Sequence, residues 1–175
     1  MTKNYSALHE SMQTCTLANG LRICYLPKKG FSKTFAILAT DFGSVDASFT
    51  FEGKRYDTPA GVAHFLEHKM FEDEDGNALQ KFARTGASPN AFTSHTVTAY
   101  HRFEENLKIL LKFVFTPYFT DENVEKERGI INQEIRMVED TPNWEVFVGA
   151  YEGLYRNHPV RVSIPGSEES ISHIT

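Results

Sequence analysis

The stretch "HFLEH", residues 64–68, places two imidazoles and a carboxylate within five positions. On a helix, His64 and His68 are four residues apart and share a face, about one turn from each other. Two imidazoles at that spacing can grip one tetrahedral zinc ion. Glu67 precedes the second histidine and is angularly displaced from the pair. From there it can reach a water bound to such a metal and take its proton. With seven histidines in 175 residues, the pattern arises by chance in about one of forty shuffled chains. A second reading therefore stays open: a solvated amphipathic helix with Val62, Phe65, Leu66 and Met70 inward and the histidines outward.

A metal site needs a third protein ligand. Residues 121–139 offer an unusual stripe: Val124, Glu127, Ile131, Glu134 and Val138 recur at spacings of three and four. Two carboxylates seven residues apart thus share the apolar side of one helix. An unpaired buried carboxylate costs several kcal/mol, about, or shifts its pKa until it is neutral. A cation or a histidine N–H removes that cost. Salt bridges to Arg128 or Arg136 would do the same, and periodicity alone leaves the two readings even.

The elements that must position these residues follow from turn and cap signals. "CTLANGLRIC" reads as a hairpin over 13–26 turning at Asn19-Gly20. That register sets Cys15 opposite Cys24 in a close pair, with two reduced, mostly buried thiols as the expected state. A third strand fits 34–42, and a Gly- and Asp-bearing link runs from Gly43 to Asp57. Thr58-Pro59 is expected to open the first helix, running to about Phe71. A second helix fits 77–85, stopped by Gly86. Residues 90–103 read as one strand, and a third helix fits 104–115. Thr120, with Asp121 and Glu122 behind it, caps a fourth helix to about Glu139, stapled by Phe119 and Val124. Thr141-Pro142 opens a fifth, to about Arg156, and the tail reads as the start of another. The pattern predicts an α+β fold, an antiparallel sheet covered by helices.

Composition fits a single globular domain: 41% of residues are apolar and 13% aromatic. The net charge is −5, with 18 basic and 23 acidic residues well mixed, which argues against nucleic acid as a partner. No apolar run has signal-peptide or membrane-spanning length, so a cytoplasmic location without membrane association is expected. His95 and His101 read as strand surface or core, and His158 as a turn residue before Pro159. His9 and His173 carry no signal.

Several ordered segments resemble the pitrilysin/insulysin metallopeptidases, which include the mitochondrial processing peptidases. "TLANGLRICYLP" is similar to the family's opening hairpin and "GVAHFLEHKMF" to its metal helix. "GASPNAFTSHTVTAY" resembles its substrate strand, "VEKERGIINQEIRMVEDTP" its second metal helix, and "HPVRVSIPGSEESI" the segment closing its first domain. The resemblance implies a LuxS/processing-peptidase-like domain in which His64, His68 and Glu134 hold zinc (Zn2+). It implies Glu67 as general base and Glu127 as an acid that orients a metal histidine. Asn90, Ala91, Phe92 and Thr93 would meet an extended peptide substrate, the last three presenting backbone to it as to an added strand.

Family enzymes face their first half with a second, on the same chain or on a paired subunit. Residues 1–175 are therefore expected to form a single incomplete N-terminal peptidase domain, with little peptidase activity alone. The function implied is zinc-dependent endopeptidase, cleaving peptides or small proteins. The alternative is a non-catalytic peptide-binding or partner subunit, which in this family often has an eroded metal motif.

Overall fold

The computed structural model describes residues 1–74, 76–77, 90–103 and 107–175. They divide into two compact units, Met1–Thr34 and Phe35–Thr175.

The first unit is a three-stranded antiparallel sheet of β1 (Thr2–Tyr5), β2 (Glu10–Thr16) and β3 (Arg22–Tyr25), in that order. The β2–β3 hairpin forms where expected, but its register differs by one residue. Leu17 N–H donates to the Leu21 carbonyl at 2.9 Å and Gly20 N–H to the Leu17 carbonyl at 2.9 Å. The loop therefore holds three residues, with Gly20 at φ +88°, the left-handed position that closes a three-residue turn. Cys15 consequently opposes Ile23, and Cys24 opposes Thr14. A slip of one residue sends side chains to opposite faces, so the two cysteines do not face each other. Both are free and exposed rather than buried.

In the second unit β4 (Phe35–Thr40), β10 (Thr98–Phe103) and β9 (Asn90–Thr93) form an antiparallel sheet with β10 in the middle. The sequence from 90 to 103 is thus a hairpin and not one strand. It turns at His95-Thr96, with Ser94 N–H donating to the Val97 carbonyl at 2.8 Å. The turn is pinned from outside, since Ser44 N–H and Val45 N–H donate to the Ser94 and His95 carbonyls at 3.1 and 3.0 Å. A Cβ at Gly43 would lie 2.5 Å from the His95 carbonyl carbon, so only glycine lets the two backbones approach.

The expected link over 43–57 contains a second hairpin, β5 (Ser48–Phe51) with β6 (Lys54–Asp57). Its two-residue turn, Glu52-Gly53, takes positive φ at both positions. The alternation in "SFTFEGKRYD" carried that signal. β7 (Glu72–Asp73) pairs with β8 (Gly76–Asn77), and the helix expected over 77–85 otherwise lies outside the described residues.

The helices are α1 (Val62–Lys69), α2 (Leu107–Phe115), α3 (Asp121–Glu139), α4 (Pro142–Leu154) and α5 (Glu168–Ser172). Thr58 does not cap α1. Its hydroxyl donates to the Ala47 carbonyl, and the cap position falls to Gly61 at φ +89°. Thr120 caps α3 as expected, in a reciprocal box with Asn123. Phe65 of α1, Ile131 and Ile135 of α3, and Ile171 and Ile174 at the chain's end make one apolar core, with Val62 and Val124 at its margin. No helix among the described residues is long and apolar enough to cross a membrane.

Candidate metal centre

Short as it is, α1 is covered on several sides: Ala63, His64, Phe65, Glu67 and Lys69 are all buried. The reading with outward histidines therefore fails, since His64 is only 8% exposed. One turn apart, the two imidazoles sit with ring centres 4.5 Å apart. Packing of Phe65 against Ile131 and Ile135 brings α3 alongside, and the same stripe presents its two carboxylates to the histidines.

Glu134 lies between the rings. Its Oε1 is 3.5 Å from His64 Nε2 and its Oε2 is 3.3 Å from His68 Nε2. Glu127, 5% exposed, accepts a hydrogen bond from His68 Nδ1 at 2.9 Å. The arginines named as alternative partners point elsewhere. Arg128 bonds Glu125 and the Ile174 carbonyl, and Arg136 bonds Glu168.

Among the described residues, His64, His68 and Glu134 are the group whose ligand atoms converge, all within 4.8 Å of one another. The donor set suits zinc, which takes imidazole nitrogen and carboxylate oxygen at about 2.0–2.2 Å. Ligands on a tetrahedron with such bonds stand about 3.3–3.5 Å apart, which is the separation between each Nε2 and its Glu134 oxygen. In the neutral ring, a hydrogen on Nδ1 given to Glu127 would leave Nε2 to face the site, as carboxylates behind metal histidines do.

Without a metal, a proton on His68 offsets part of the carboxylate charge. Burial opposes charge on His68, but its bonds to Glu127 and Glu134 outweigh burial and push its pKa up to about 9. Hydrogen bonds from His64 and His68 hold the Glu134 carboxyl well below the usual range, against its partial burial. Burial first, and the Glu67 charge second, raise the Tyr100 phenol.

Glu67 is 8% exposed and is not among the converging ligands. Its Oε2 accepts a hydrogen bond from Thr93 Oγ1 at 2.7 Å. This contact was not anticipated from sequence, where Thr93 figured only through its backbone. Alternation along the strand was the available signal, since it turns Ala91 and Thr93 to one face and Asn90 and Phe92 to the other. Asn90 Oδ1 accepts from the Ala91 N–H at 2.9 Å, and Phe92 is 43% exposed. Lys69, wholly buried and paired with Glu72 at 2.7 Å, was also missed. Glu72 also takes Lys126 of α3 at 3.0 Å, so the bridge ties the end of α1 to α3.

Three other histidines of the second unit, His95, His101 and His158, have partners of their own. His95 meets the rings of Phe147 and Tyr151, His101 those of Phe35 and Phe92. His158 accepts from the Val160 N–H in its turn.

Comparison with known proteins agrees with this architecture. Residues 50–168 match the family described as insulinase, peptidase family M16. The chain is 50% identical over 178 aligned positions to the uncharacterized zinc protease YmfH of Bacillus subtilis, covering 98% of this chain and 42% of that protein. It is 31% identical to a Schizosaccharomyces pombe protein named as a probable mitochondrial-processing peptidase subunit beta, over 93% of this chain and 36% of that one. An M16-like peptidase structure from Alicyclobacillus acidocaldarius superposes with a TM-score of 0.88 at 42% identity, covering 95% of this chain and 40% of that one. The chain thus spans about two fifths of the length of these relatives. It belongs to the insulinase family of peptidases, family M16.

Proposed function

We propose that this chain carries the zinc site and the general base of an endopeptidase that cleaves peptides or small proteins. The observation that carries the reading is the convergence of His64, His68 and Glu134 within 4.8 Å beside a buried, oriented Glu67. His64 Nε2, His68 Nε2 and the Glu134 carboxylate would hold the ion, with Glu127 steadying His68. Zinc, when bound there, lowers the pKa of water and polarises a peptide carbonyl. Glu67 has Oε2 engaged by Thr93, so Oε1 takes the water's proton and passes it to the leaving amine.

The substrate backbone joins the sheet at β9. Ser94 and Val97 form a hydrogen-bonded pair, so by alternation Thr93 and Thr98 form a pair without mutual backbone bonds. The N–H and carbonyl of Thr93, and the carbonyl of Ala91 two residues earlier, therefore point away from β10, where an extended peptide can meet them; the Ala91 N–H is taken by Asn90 Oδ1. The facing half of the site would come from elsewhere in the whole protein or from a paired subunit. Relatives more than twice this length, and the naming of one as a processing-peptidase subunit, support that view.

The test is made on the whole protein. Glu67→Gln should keep one zinc per chain and lose hydrolysis by about 10²–10⁴-fold. His64→Ala should lose the zinc. Unchanged zinc in His64→Ala, or lost zinc in Glu67→Gln, by elemental analysis overturns the assignment.

A further inference from the structure

We propose that Thr93 is a positioning residue for Glu67, tying the orientation of the base to the strand edge that receives the substrate. The inference rests on the reading of Glu67 as general base. Thr93 ends β9, and its side chain turns to the face of the sheet that α1 covers. There Oγ1 gives its single hydrogen to Glu67 Oε2 at 2.7 Å. Behind it lies a second hydroxyl, which is in contact but has already given its own hydrogen elsewhere. Thr98, 3% exposed on the neighbouring strand, places its Oγ1 3.3 Å away, while that hydroxyl donates to the Phe42 carbonyl at 2.8 Å.

A β-branched side chain on a strand has few rotamers, and a hydroxyl with one hydrogen has one direction of donation. A carboxylate two bonds further out on the flexible Glu67 side chain lacks that definition by itself. The bond to Thr93 fixes which oxygen is engaged and which is left free. Because the backbone of the same residue faces the open edge, one residue sets the distance between peptide and base.

Thr93→Val keeps the shape and the β-branch and removes the hydroxyl. Thr93→Ser keeps the hydroxyl. Both are made in the whole protein and compared by zinc content, by kcat and KM on a fluorogenic peptide, and by crystal structures of the zinc-loaded forms. Thr93→Val should keep its zinc and its KM within about twofold, and lose about ten- to a hundredfold in kcat, as misplacement of a reacting group does. Its Glu67 carboxylate should leave the position it holds in the parent. Thr93→Ser should restore kcat to within a few fold. An unmoved Glu67 in the Thr93→Val crystal overturns the proposal even where no peptide is cleaved. So does a change confined to KM, or a Thr93→Ser as slow as Thr93→Val. Failure of the base assignment is separate, and shows as full activity in Glu67→Gln.

Discussion

Glu127→Gln tests the proposed role of Glu127 as the carboxylate behind a metal-binding His68. The glutamine keeps size and still accepts from His68 Nδ1, so the buried packing of Glu127, 5% exposed, is preserved. Only the charge goes, and two consequences of opposite sign follow. A neutral acceptor makes His68 a poorer ligand, and loss of such a partner typically costs 10–100-fold in metal affinity, about 1.4–2.7 kcal/mol. Against this, His68 no longer holds its proton as firmly. In the parent that proton is bound up to about pH 9. At pH 7, two units below, it lowers apparent zinc affinity by about a hundredfold. Parent affinity should therefore rise about tenfold per pH unit from 7 to 9 and then level. The variant starts from a lower His68 pKa and should rise less. The two proteins should differ little at pH 7 and by the full 10–100-fold, roughly, at pH 9.5, where His68 is deprotonated in both. Competition with a chelator of known pH dependence measures both curves. Parallel curves, or equal affinity at pH 9.5, would refute the argument.

The same proton bears on stability. His68 has a folded pKa of about 9, above its unfolded value, so its contribution is complete below about pH 6.5 and is lost as pH rises through 9. Glu134, shifted down, contributes above its unfolded value and changes nothing in that window. Metal-free protein in EDTA should lose Tm between pH 6.5 and 9, and a flat Tm over that range would sink the assignment of the proton. Gly61→Ala should destabilise by several kcal/mol, about, since φ is +89° and the new Cβ would lie 2.4 Å from the Pro165 carbonyl oxygen. Gly53→Ala, with φ +77° and open space around it, should cost only about 1–2 kcal/mol. Urea midpoints for the two variants compare the contact with the backbone strain common to both.

Much of the site was legible because helices repeat. Spacings of four on α1 and seven on α3 are local facts, and each places its side chains on one face whatever surrounds it. Glu127 and Glu134 stood out because they interrupt an apolar stripe, where an unpartnered charge is costly. Turns were read less well. The "ANG" loop supports both a two- and a three-residue turn, and nothing local in "CTLANGLRIC" decides between them. The structure's register sends Cys15 and Cys24 to opposite faces. The break in 90–103 was hidden for a different reason. Ser94 to Val97 has no glycine or proline, and its turn is held by Ser44 and Val45, some fifty residues away. A tertiary contact of that kind leaves no trace in local propensity. Cap positions shared the difficulty: Thr58-Pro59 is a sound local signal, but Gly61 fits closely under Pro165 and Ile171, and the helix starts there.

The arrangement also explains how so polar a cluster can be folded around at all. Two carboxylates, Glu127 and Glu134, meet two imidazoles on the flank of a core built from Phe65, Ile131 and Ile135, and a third, Glu67, shares α1 with the imidazoles. Buried carboxylates without partners would be costly to fold around. Each instead has a donor: Thr93 for Glu67, His68 for Glu127, and both histidines for Glu134. The proton on His68 stands where part of a cation's charge would stand. On the proposed reading, zinc would replace that proton within a geometry set by α1 and α3, and its affinity would depend on pH. The arrangement also locates the firmness of the site in the helix pair, in the Lys69–Glu72–Lys126 bridge that ties the end of α1 to α3, and in the apolar residues packed between them.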